Sequence, residues 1–403
     1  MNTESFAYWK EKDARFILPT YGERDIAFSR GEGVWLYDIA GKKYLDFLSG
    51  IGVNILGYSH PRMVKAIKEQ AEKLLHTSNL YLIPSQARLA EILINHTFPG
   101  KCFFCNSGAE AVESAVKLAK KWGKEKGKWK IVSMVNSFHG RTCGALSLTG
   151  QKKYQDNFLP LLPGVKFIPF NDPDALKSAV DADTCAIVIE PVQGEGGIRV
   201  ARADFLKSAR EIAEKEDCLL VFDEVQCGMG RTGSLFAFQK FQVLPDILCL
   251  AKGLAGGMPI GAIIAGEKAM DAFQPGDHAS TFGGNPLATR VACEVLEVLS
   301  EEGIVENARL KGEDIFSRLA SLKDKFRFIK EIRGTGLMIG VEIEGEAGEI
   351  RRLAQGKGLL IGIAGKSVVR LLPPLIVKEE EVNLAMKIIE ECLEEFGSNN
   401  GEA

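Results

Sequence analysis

The chain has 403 residues, of which 46% are hydrophobic and 26% charged, and its formal net charge is −3. This composition predicts a globular protein of two domains, or of one large domain with a satellite. The slightly acidic balance gives no electrostatic case for nucleic acid, and no apolar run approaches the ~18 residues of a membrane span, so we expect neither as a partner.

The N-terminal stretch MNTESFAYWKEKDARF lacks the apolar core of a signal peptide and carries acidic residues, which argues against a transit peptide. Nine cysteines are scattered along the chain. Cys102 and Cys105 form a CxxC, but no second CxxC or nearby histidine completes a metal site. We therefore predict buried, reduced thiols, no metal and a cytoplasmic location.

Strand and helix patterns alternate along the middle of the chain. FCNSGAEAVESAVKLAKKW predicts a strand end, a turn and an amphipathic helix, with Ala111, Ala115, Leu118 and Ala119 on one face. The runs KIVSMVNS, CAIVIEPV, CLLVFDEV and DILCLAK predict strands, and their continuous apolar character is typical of a parallel sheet buried on both faces. Helical segments such as ARADFLKSAREIAEKED lie between them. The pattern predicts an α/β fold.

The two ends of the chain differ from this middle part. Residues 31–55 show a hairpin pattern with glycines, and residues 295–403 alternate amphipathic helices with short strands. We predict a large domain of residues 60–290 with a mostly parallel sheet. The small α+β domain would be built from residues 1–59 and 291–403.

Two predicted strands end on residues that suit one cofactor. Asp223 closes LLVFD and Lys252 follows DILCLA, and ligands collect at the carboxyl ends of parallel strands. Lys252 can bond to the aldehyde of pyridoxal phosphate, while Asp223 can keep the ring nitrogen protonated. For either residue alone, a salt bridge at the rim of the sheet is the plain alternative.

Two further motifs complete such a site. In NSGAEA, Ser107, Gly108 and Ala109 open a helix whose amides and dipole favour a phosphate, although Ser-Gly is also an ordinary helix cap. In NSFHGRT, Phe138 can stack on a planar ring and Arg141 can bind a carboxylate. A core phenylalanine and a surface arginine are the alternatives there.

Six phrases resemble the class III aminotransferases, which are fold-type I pyridoxal-phosphate enzymes: NSGAEA, FHGRT, EPVQGEGG, FDEVQCGMGRTG, LAKGLAGGMPIGA and STFGGNPLA, in this order. The resemblance runs from about residue 20 to residue 395. HTSNLYLIPSQARLAEIL and LDFLSGIGVNILGYSHP most resemble the acetylornithine aminotransferases within this class. The resemblance implies a pyridoxal-phosphate cofactor and a homodimer with shared active sites.

The resemblance also implies a role around the cofactor for each matching position. These are Lys252 for the covalent bond to the cofactor, Asp223 for the ring nitrogen, Val225 and Phe138 for the two ring faces, Gln226 for the ring hydroxyl, Gly108 and Ala109 beside Ser107 for the phosphate, and Thr281 for the phosphate of the neighbouring subunit.

Other positions are implied to bind substrate. Arg141 matches the arginine that binds the carboxylate remote from the reacting amine, and Glu195 matches a gate that neutralises Arg370. When glutamate binds, Arg370 takes its α-carboxylate and Glu195 moves away. His139 is expected to be structural, with its side chain directed away from the ring. Three more residues are implied to line the pocket: Tyr21, Asn79 and Gly52.

The resemblance implies a ping-pong transfer of the δ-amino group of N2-acetylornithine to 2-oxoglutarate, with Lys252 as the base, in arginine biosynthesis. Ornithine, 4-aminobutyrate, succinylornithine and acetyllysine remain alternative donors. An aminomutase, racemase or decarboxylase on the same fold remains an alternative reaction. A cofactor-binding regulator lacks an appended DNA-binding segment here, and a dehydrogenase lacks the strand followed by GxGxxG.

Overall fold

The computed structural model describes residues 5–399. Its strands, in chain order, are β1 (Phe28–Glu32), β2 (Trp35–Asp38), β3 (Lys43–Asp46), β4 (Gly100–Cys105), β5 (Lys130–Met134), β6 (Val165–Ile168), β7 (Thr184–Ile189), β8 (Val192–Gln193), β9 (Arg199–Val200), β10 (Leu219–Asp223), β11 (Ile247–Leu250), β12 (Gly261–Gly266), β13 (Ile329–Thr335), β14 (Met338–Ile343), β15 (Leu359–Leu360), β16 (Gly362–Ala364) and β17 (Val368–Leu371).

Helices connect and cover these strands. In chain order they are α1 (Phe6–Phe16), α2 (Ser49–Gly52), α3 (Pro61–Ala71), α4 (Pro84–His96), α5 (Gly108–Lys124), α6 (Cys143–Leu148), α7 (Lys152–Gln155), α8 (Pro173–Ala179), α9 (Ala203–Lys215), α10 (Ala237–Phe241), α11 (Pro286–Glu301), α12 (Ile304–Lys325), α13 (Ala347–Gly356) and α14 (Glu379–Asn399). Two 3₁₀ turns span Asp156–Phe158 and Lys252–Ala255.

A seven-stranded sheet forms the centre, in the order β4-β12-β11-β10-β7-β5-β6. Strand β12 runs antiparallel to its neighbours β11 and β4, whereas the pairs β11-β10, β10-β7, β7-β5 and β5-β6 are parallel. The predicted α/β fold with a mostly parallel sheet is confirmed. The reversed strand β12 was not predicted, because an apolar run does not encode the direction of its strand.

The central sheet is buried on both faces. Along β10, Leu220 and Phe222 belong to the largest hydrophobic cluster, while Leu219 and Val221 belong to a second cluster on the opposite face. Helix α5 covers this second face with the buried stripe predicted from its sequence, which includes Ala111, Ala115, Leu118 and Ala119. Two-sided burial explains why these strands are apolar throughout rather than alternating.

Local hydrogen bonds fix the start of helix α5. The Ser107 hydroxyl accepts from the Glu110 amide at 3.2 Å, and the Glu110 carboxylate accepts from the Asn106 amide at 2.8 Å. Such reciprocal capping satisfies backbone donors that precede the first helical turn. The helix therefore begins directly after β4, at the edge of the central sheet.

The two ends of the chain share a sheet. Strand β15 pairs in parallel with β3, so that Leu359 lies beside Leu45, in a sheet of order β1-β2-β3-β15. The C-terminal part also forms a sheet of order β13-β14-β17-β16. The predicted boundary at residue 290 falls inside helix α11, which runs from Pro286 to Glu301. The division into two domains stays a prediction.

All nine cysteines are free thiols. Seven are buried and Cys102 is partly buried, but Cys143 is exposed, contrary to the expectation that the thiols are buried. Between residues 5 and 399, no helix has both the length and the apolar character needed to cross a membrane. The same range contains no cluster of three side chains that could hold a metal ion.

Candidate active site

Asp223 and Lys252 lie at the same edge of the central sheet. Strands β10 and β11 are parallel neighbours, and Asp223 lies opposite Cys249, three residues before the lysine. The backbone of Lys252 has a φ of 44°, which is uncommon for a residue with a side chain and marks a strained turn. This turn ends the strand and directs the lysine toward the carboxyl edge of the sheet.

The amine of Lys252 has altered acidity. Lys252 is partly buried, and the loss of hydration lowers the pKa of its amine to about 8. The carboxylate of Glu195 opposes this shift, and the guanidinium of Arg370 adds to it. Near neutral pH, a minor fraction of this amine is therefore unprotonated and available as a nucleophile or a base.

Asp223 is buried and is held by two contacts. Its Oδ2 lies 2.7 Å from Nδ1 of His139, and its Oδ1 accepts from the Val225 amide at 3.1 Å. Burial opposes protonation of the His139 ring, but the hydrogen bond and charge of Asp223 outweigh it, so the pKa of His139 is raised. His139 thus orients the carboxylate that closes β10.

Glu190 closes the adjacent strand β7 and was missed from the sequence. Its carboxylate accepts hydrogen bonds from the Phe138 amide at 2.9 Å and the Gly194 amide at 3.4 Å. Burial raises the pKa of Glu190 to about 8. Like Asp223, this acid directly follows an apolar strand, and that position was the available signal.

A buried ion pair lies close to Lys252. Nη1 of Arg370, on β17, is 2.5 Å from Oε1 of Glu195. The arginine side chain is only 5% exposed and the glutamate side chain 22%. A buried guanidinium without a partner would be strongly unfavourable, so Glu195 neutralises Arg370 in this state.

Free backbone donors lie at the start of helix α5. The amides of Gly108 and Ala109 precede the helix's first backbone hydrogen bond, from the Ala111 amide to the Ser107 carbonyl. A Cβ atom at Gly108 would lie 2.6 Å from Cγ1 of Val225, so only glycine permits this approach. The N-terminus of helix α5 can therefore bind an anion beside the strand ends.

The family model for "Aminotransferase class-III" matches residues 19–393. This chain belongs to that family. An acetylornithine aminotransferase from Caldanaerobacter subterraneus is 50% identical over 389 residues, which is 95% of this chain and 98% of that protein.

Solved structures agree with this membership. The N-acetylornithine aminotransferase from Stenotrophomonas maltophilia superimposes with a TM-score of 0.84 at 36% identity, over 96% of this chain and 99% of that one. The ornithine aminotransferase from Toxoplasma gondii has partial occupancy of pyridoxal phosphate at its active site. It superimposes with a TM-score of 0.95 at 33% identity, over 99% of this chain and 96% of that one.

Aminotransferases of this class use pyridoxal phosphate, and two features test whether these residues fit it. The free amides of Gly108 and Ala109 suit its phosphate group. Oε1 of Gln226 is buried and has no hydrogen-bond partner within residues 5–399, as expected of an acceptor for the ring hydroxyl. In both cases a polar group without a hydrogen-bond partner would gain one from the cofactor, so these residues fit pyridoxal phosphate.

In this aminotransferase, Arg141 lies on the surface beside aromatic rings. Its guanidinium carbon is 4.0 Å from the ring centroid of Tyr154 and 5.5 Å from that of Phe138. The two rings meet edge to face at 5.9 Å. Tyr154 was not predicted from the sequence, and it connects the predicted ring-stacking residue to the predicted carboxylate ligand.

Three predicted residues lie on exposed surface. Asn79 donates to the carbonyls of Ser280 and Gly283, both at 2.9 Å, and the loop between them carries exposed Thr281. Tyr21 is 73% exposed, with the Arg24 guanidinium over its ring. Gly52 is buried, and a Cβ atom there would lie 3.9 Å from Leu372.

Proposed function

We propose that this aminotransferase transfers the δ-amino group of N2-acetylornithine to 2-oxoglutarate, giving N-acetylglutamate semialdehyde and glutamate in arginine biosynthesis. The observation that carries this proposal is the ion pair of Arg370 and Glu195 close to Lys252. N2-acetylornithine has no carboxylate near its reacting amine, so the arginine needs the internal partner that Glu195 supplies. Among ω-amine donors, the long similarity to acetylornithine aminotransferases favours this one.

The residues proposed to hold the cofactor surround the strand ends. They are Lys252 for the covalent bond, Asp223 for the ring nitrogen, Val225 and Phe138 for the ring faces, Gln226 for the ring hydroxyl, and Ser107, Gly108 and Ala109 for the phosphate. When bound, pyridoxal phosphate withdraws electrons from the substrate carbon that bears the amino group.

Lys252 is proposed to move the proton in both half-reactions. Its amine, with a pKa of about 8, is partly neutral at neutral pH and can take the proton from that substrate carbon. The same nitrogen, once protonated, would donate the proton to the carbon that ends up bearing the transferred amino group. Burial opposes protonation of His139, but the hydrogen bond and the charge of Asp223 raise its pKa, so this contact holds the imidazole beside the carboxylate.

Arg141 is proposed to bind the α-carboxylate of the donor, remote from the reacting amine. The Tyr154 ring under its guanidinium limits the motion of the side chain. With 2-oxoglutarate or glutamate, Arg370 would take the α-carboxylate and Glu195 would move aside. Tyr21, Asn79 and Gly52 are proposed to line the pocket.

We also propose a cytoplasmic homodimer with shared active sites. Thr281 lies on an exposed loop, where it would reach the phosphate of the partner subunit. Large apolar side chains near it are exposed, including Leu80, Leu82 and Phe282, and a second subunit would cover them. The proposed domain division is a large domain of residues 60–290 and a small domain of 1–59 with 291–403.

The test is a half-reaction followed by absorbance. The cofactor-loaded enzyme is mixed with one donor at a time, without acceptor, and the change in the cofactor band is timed. We expect N2-acetylornithine to react much faster than ornithine, 4-aminobutyrate, succinylornithine or acetyllysine. A faster reaction with another donor would reassign the substrate. Product formed in excess of one equivalent per active site without 2-oxoglutarate would favour an aminomutase, racemase or decarboxylase.

A further inference from the structure

A cavity of about 550 Å³ lies beside the gate carboxylate. Residues 195–197 line it, and Gln151, Lys152 and Lys153 also line it, at the start of helix α7. The loop that precedes Arg370, residues 364–368, borders the same space. The gate carboxylate therefore adjoins open volume as well as the buried guanidinium.

The lining of this cavity is basic. Arg199, Arg333 and Lys366 contribute cations, but each already has a carboxylate partner. Lys152 and Lys153 have no carboxylate partner anywhere in residues 5–399. Nζ of Lys153 has only a ring contact, 4.6 Å from the centroid of Tyr154. Two uncompensated ammonium groups thus line the cavity with Glu195.

The gate residue lies among glycines. Gly194 precedes Glu195 and Gly196 follows it, and Gly197 has a φ of 100° that favours glycine. The glutamate side chain is more exposed than its arginine partner, at 22% against 5%. Glu195 can therefore leave Arg370 without unpacking a buried side chain.

We propose that this cavity receives the carboxylate of Glu195 when the α-carboxylate of 2-oxoglutarate takes Arg370, and that Lys152 and Lys153 compensate its charge there. This inference rests on the proposed function. After Glu195 leaves Arg370, its carboxylate would lie in a partly hydrated cavity. Without a cation nearby, this position of Glu195 would be unfavourable. The two lysines are thus positioning residues for the acceptor half-reaction, whereas the donor half-reaction keeps the ion pair closed.

The kinetic test uses the double variant Lys152→Gln with Lys153→Gln in the cofactor-loaded enzyme. The two half-reactions are timed separately, with N2-acetylornithine and then with 2-oxoglutarate on the amino-loaded enzyme. We expect the apparent affinity for 2-oxoglutarate to fall about tenfold, or about 1.4 kcal/mol, and the donor half-reaction to change less than about twofold.

Two control variants distinguish the effect of the lysine charges in the cavity from a general effect of removing positive charge. Lys166→Gln with Lys177→Gln removes two exposed lysines elsewhere and should leave both half-reactions unchanged. Lys152→Arg with Lys153→Arg keeps the charge and should retain the affinity for 2-oxoglutarate. Equal weakening of both substrates would mean that the cavity is a common entrance and would overturn the inference, as would no change in either.

A crystal structure with glutarate provides a readout without turnover. Glutarate offers the two carboxylates of the acceptor but has no reactive carbonyl. We expect its carboxylate on Arg370 and the Glu195 carboxylate in the cavity, facing residues 152–153. Glu195 turned elsewhere would overturn the inference while leaving the proposed transamination intact, and failure of the donor panel would reject the proposed function itself.

Discussion

The strand-end half of the candidate site and its gate half handle charge differently. In the strand-end half, Asp223 and Glu190 are buried, and each makes two hydrogen bonds to neighbouring groups. In the gate half, Arg370 is buried but its partner Glu195 is partly exposed and lies among glycines. The first arrangement fixes the positions of its carboxyl groups, and the second permits a charged group to move.

The difference matches what each half has to do. A ring held through both half-reactions needs the same charge beside it throughout, and buried, fully bonded groups provide that preorganisation. Two substrates that differ in a carboxylate near the reacting carbon need a charge that can be present or absent. A glutamate in a glycine-rich loop is suited to this second task.

Lys252 lies between the two halves, and its removal tests whether they form one site. We expect Lys252→Ala to reduce turnover by about a thousandfold or more, because it removes both the covalent attachment and the base. The measurement is steady-state transamination, with cofactor content determined on the same sample. Lys240→Ala, which removes an exposed lysine, is the matched control, and wild-type turnover by Lys252→Ala would reject the site.

Substitution of Arg141 tests whether the donor is also bound at the carboxylate remote from its reacting amine, outside the gate half. We expect Arg141→Ala to raise the KM for N2-acetylornithine about tenfold to a hundredfold, because a charge-assisted interaction contributes about 1.5–3 kcal/mol. Arg141→Lys should recover part of this loss, since it keeps the charge but not the planar fork. An unchanged KM in Arg141→Ala would remove this residue from the pocket.

Substitution of Glu195 tests whether its charge distinguishes N2-acetylornithine from glutamate. Glu195→Gln leaves Arg370 without a neutralising partner, so the half-reaction with N2-acetylornithine should slow and that with glutamate should not. We expect the ratio of the two rates to shift about tenfold toward glutamate. Glu195→Asp keeps the charge and is the control. A ratio equal to that of the wild type would contradict the gate.

His139 tests the fixed charge through the pH dependence of stability. Its folded pKa lies above the unfolded value of 6.5, so its stabilising effect is complete below that pH and is lost as pH rises through the folded pKa. We expect His139→Gln to lower the unfolding free energy by about 2 kcal/mol below pH 6.5, and by less at higher pH.

The measurement for His139 is urea unfolding of the cofactor-loaded enzyme between pH 5.5 and 9. His96→Gln, which removes an exposed histidine, is the matched control. A gap between wild type and His139→Gln that widens as pH rises would mean that the ring is not the cation paired with Asp223.

The sequence predicted the central strands because a sheet buried on both faces requires uninterrupted apolar runs. It also predicted that Asp223 and Lys252 share one edge, since the carboxyl ends of parallel strands lie together. Glu190 follows an equally apolar strand and opens the phrase EPVQGEGG, but the sequence does not show that its carboxylate accepts from the Phe138 amide, because that contact joins segments far apart in the chain. Tyr154 was missed for the same reason.

The sequence by itself therefore determined the fold class, the family and the chemical identity of the groups at the strand ends, because these depend on local periodicity and on motifs within short segments. Tertiary structure decided the antiparallel direction of β12, the contact of His139 with Asp223, and the cavity beside Glu195. Each of these depends on segments far apart in the chain, and local sequence patterns carry no information about which distant surfaces meet.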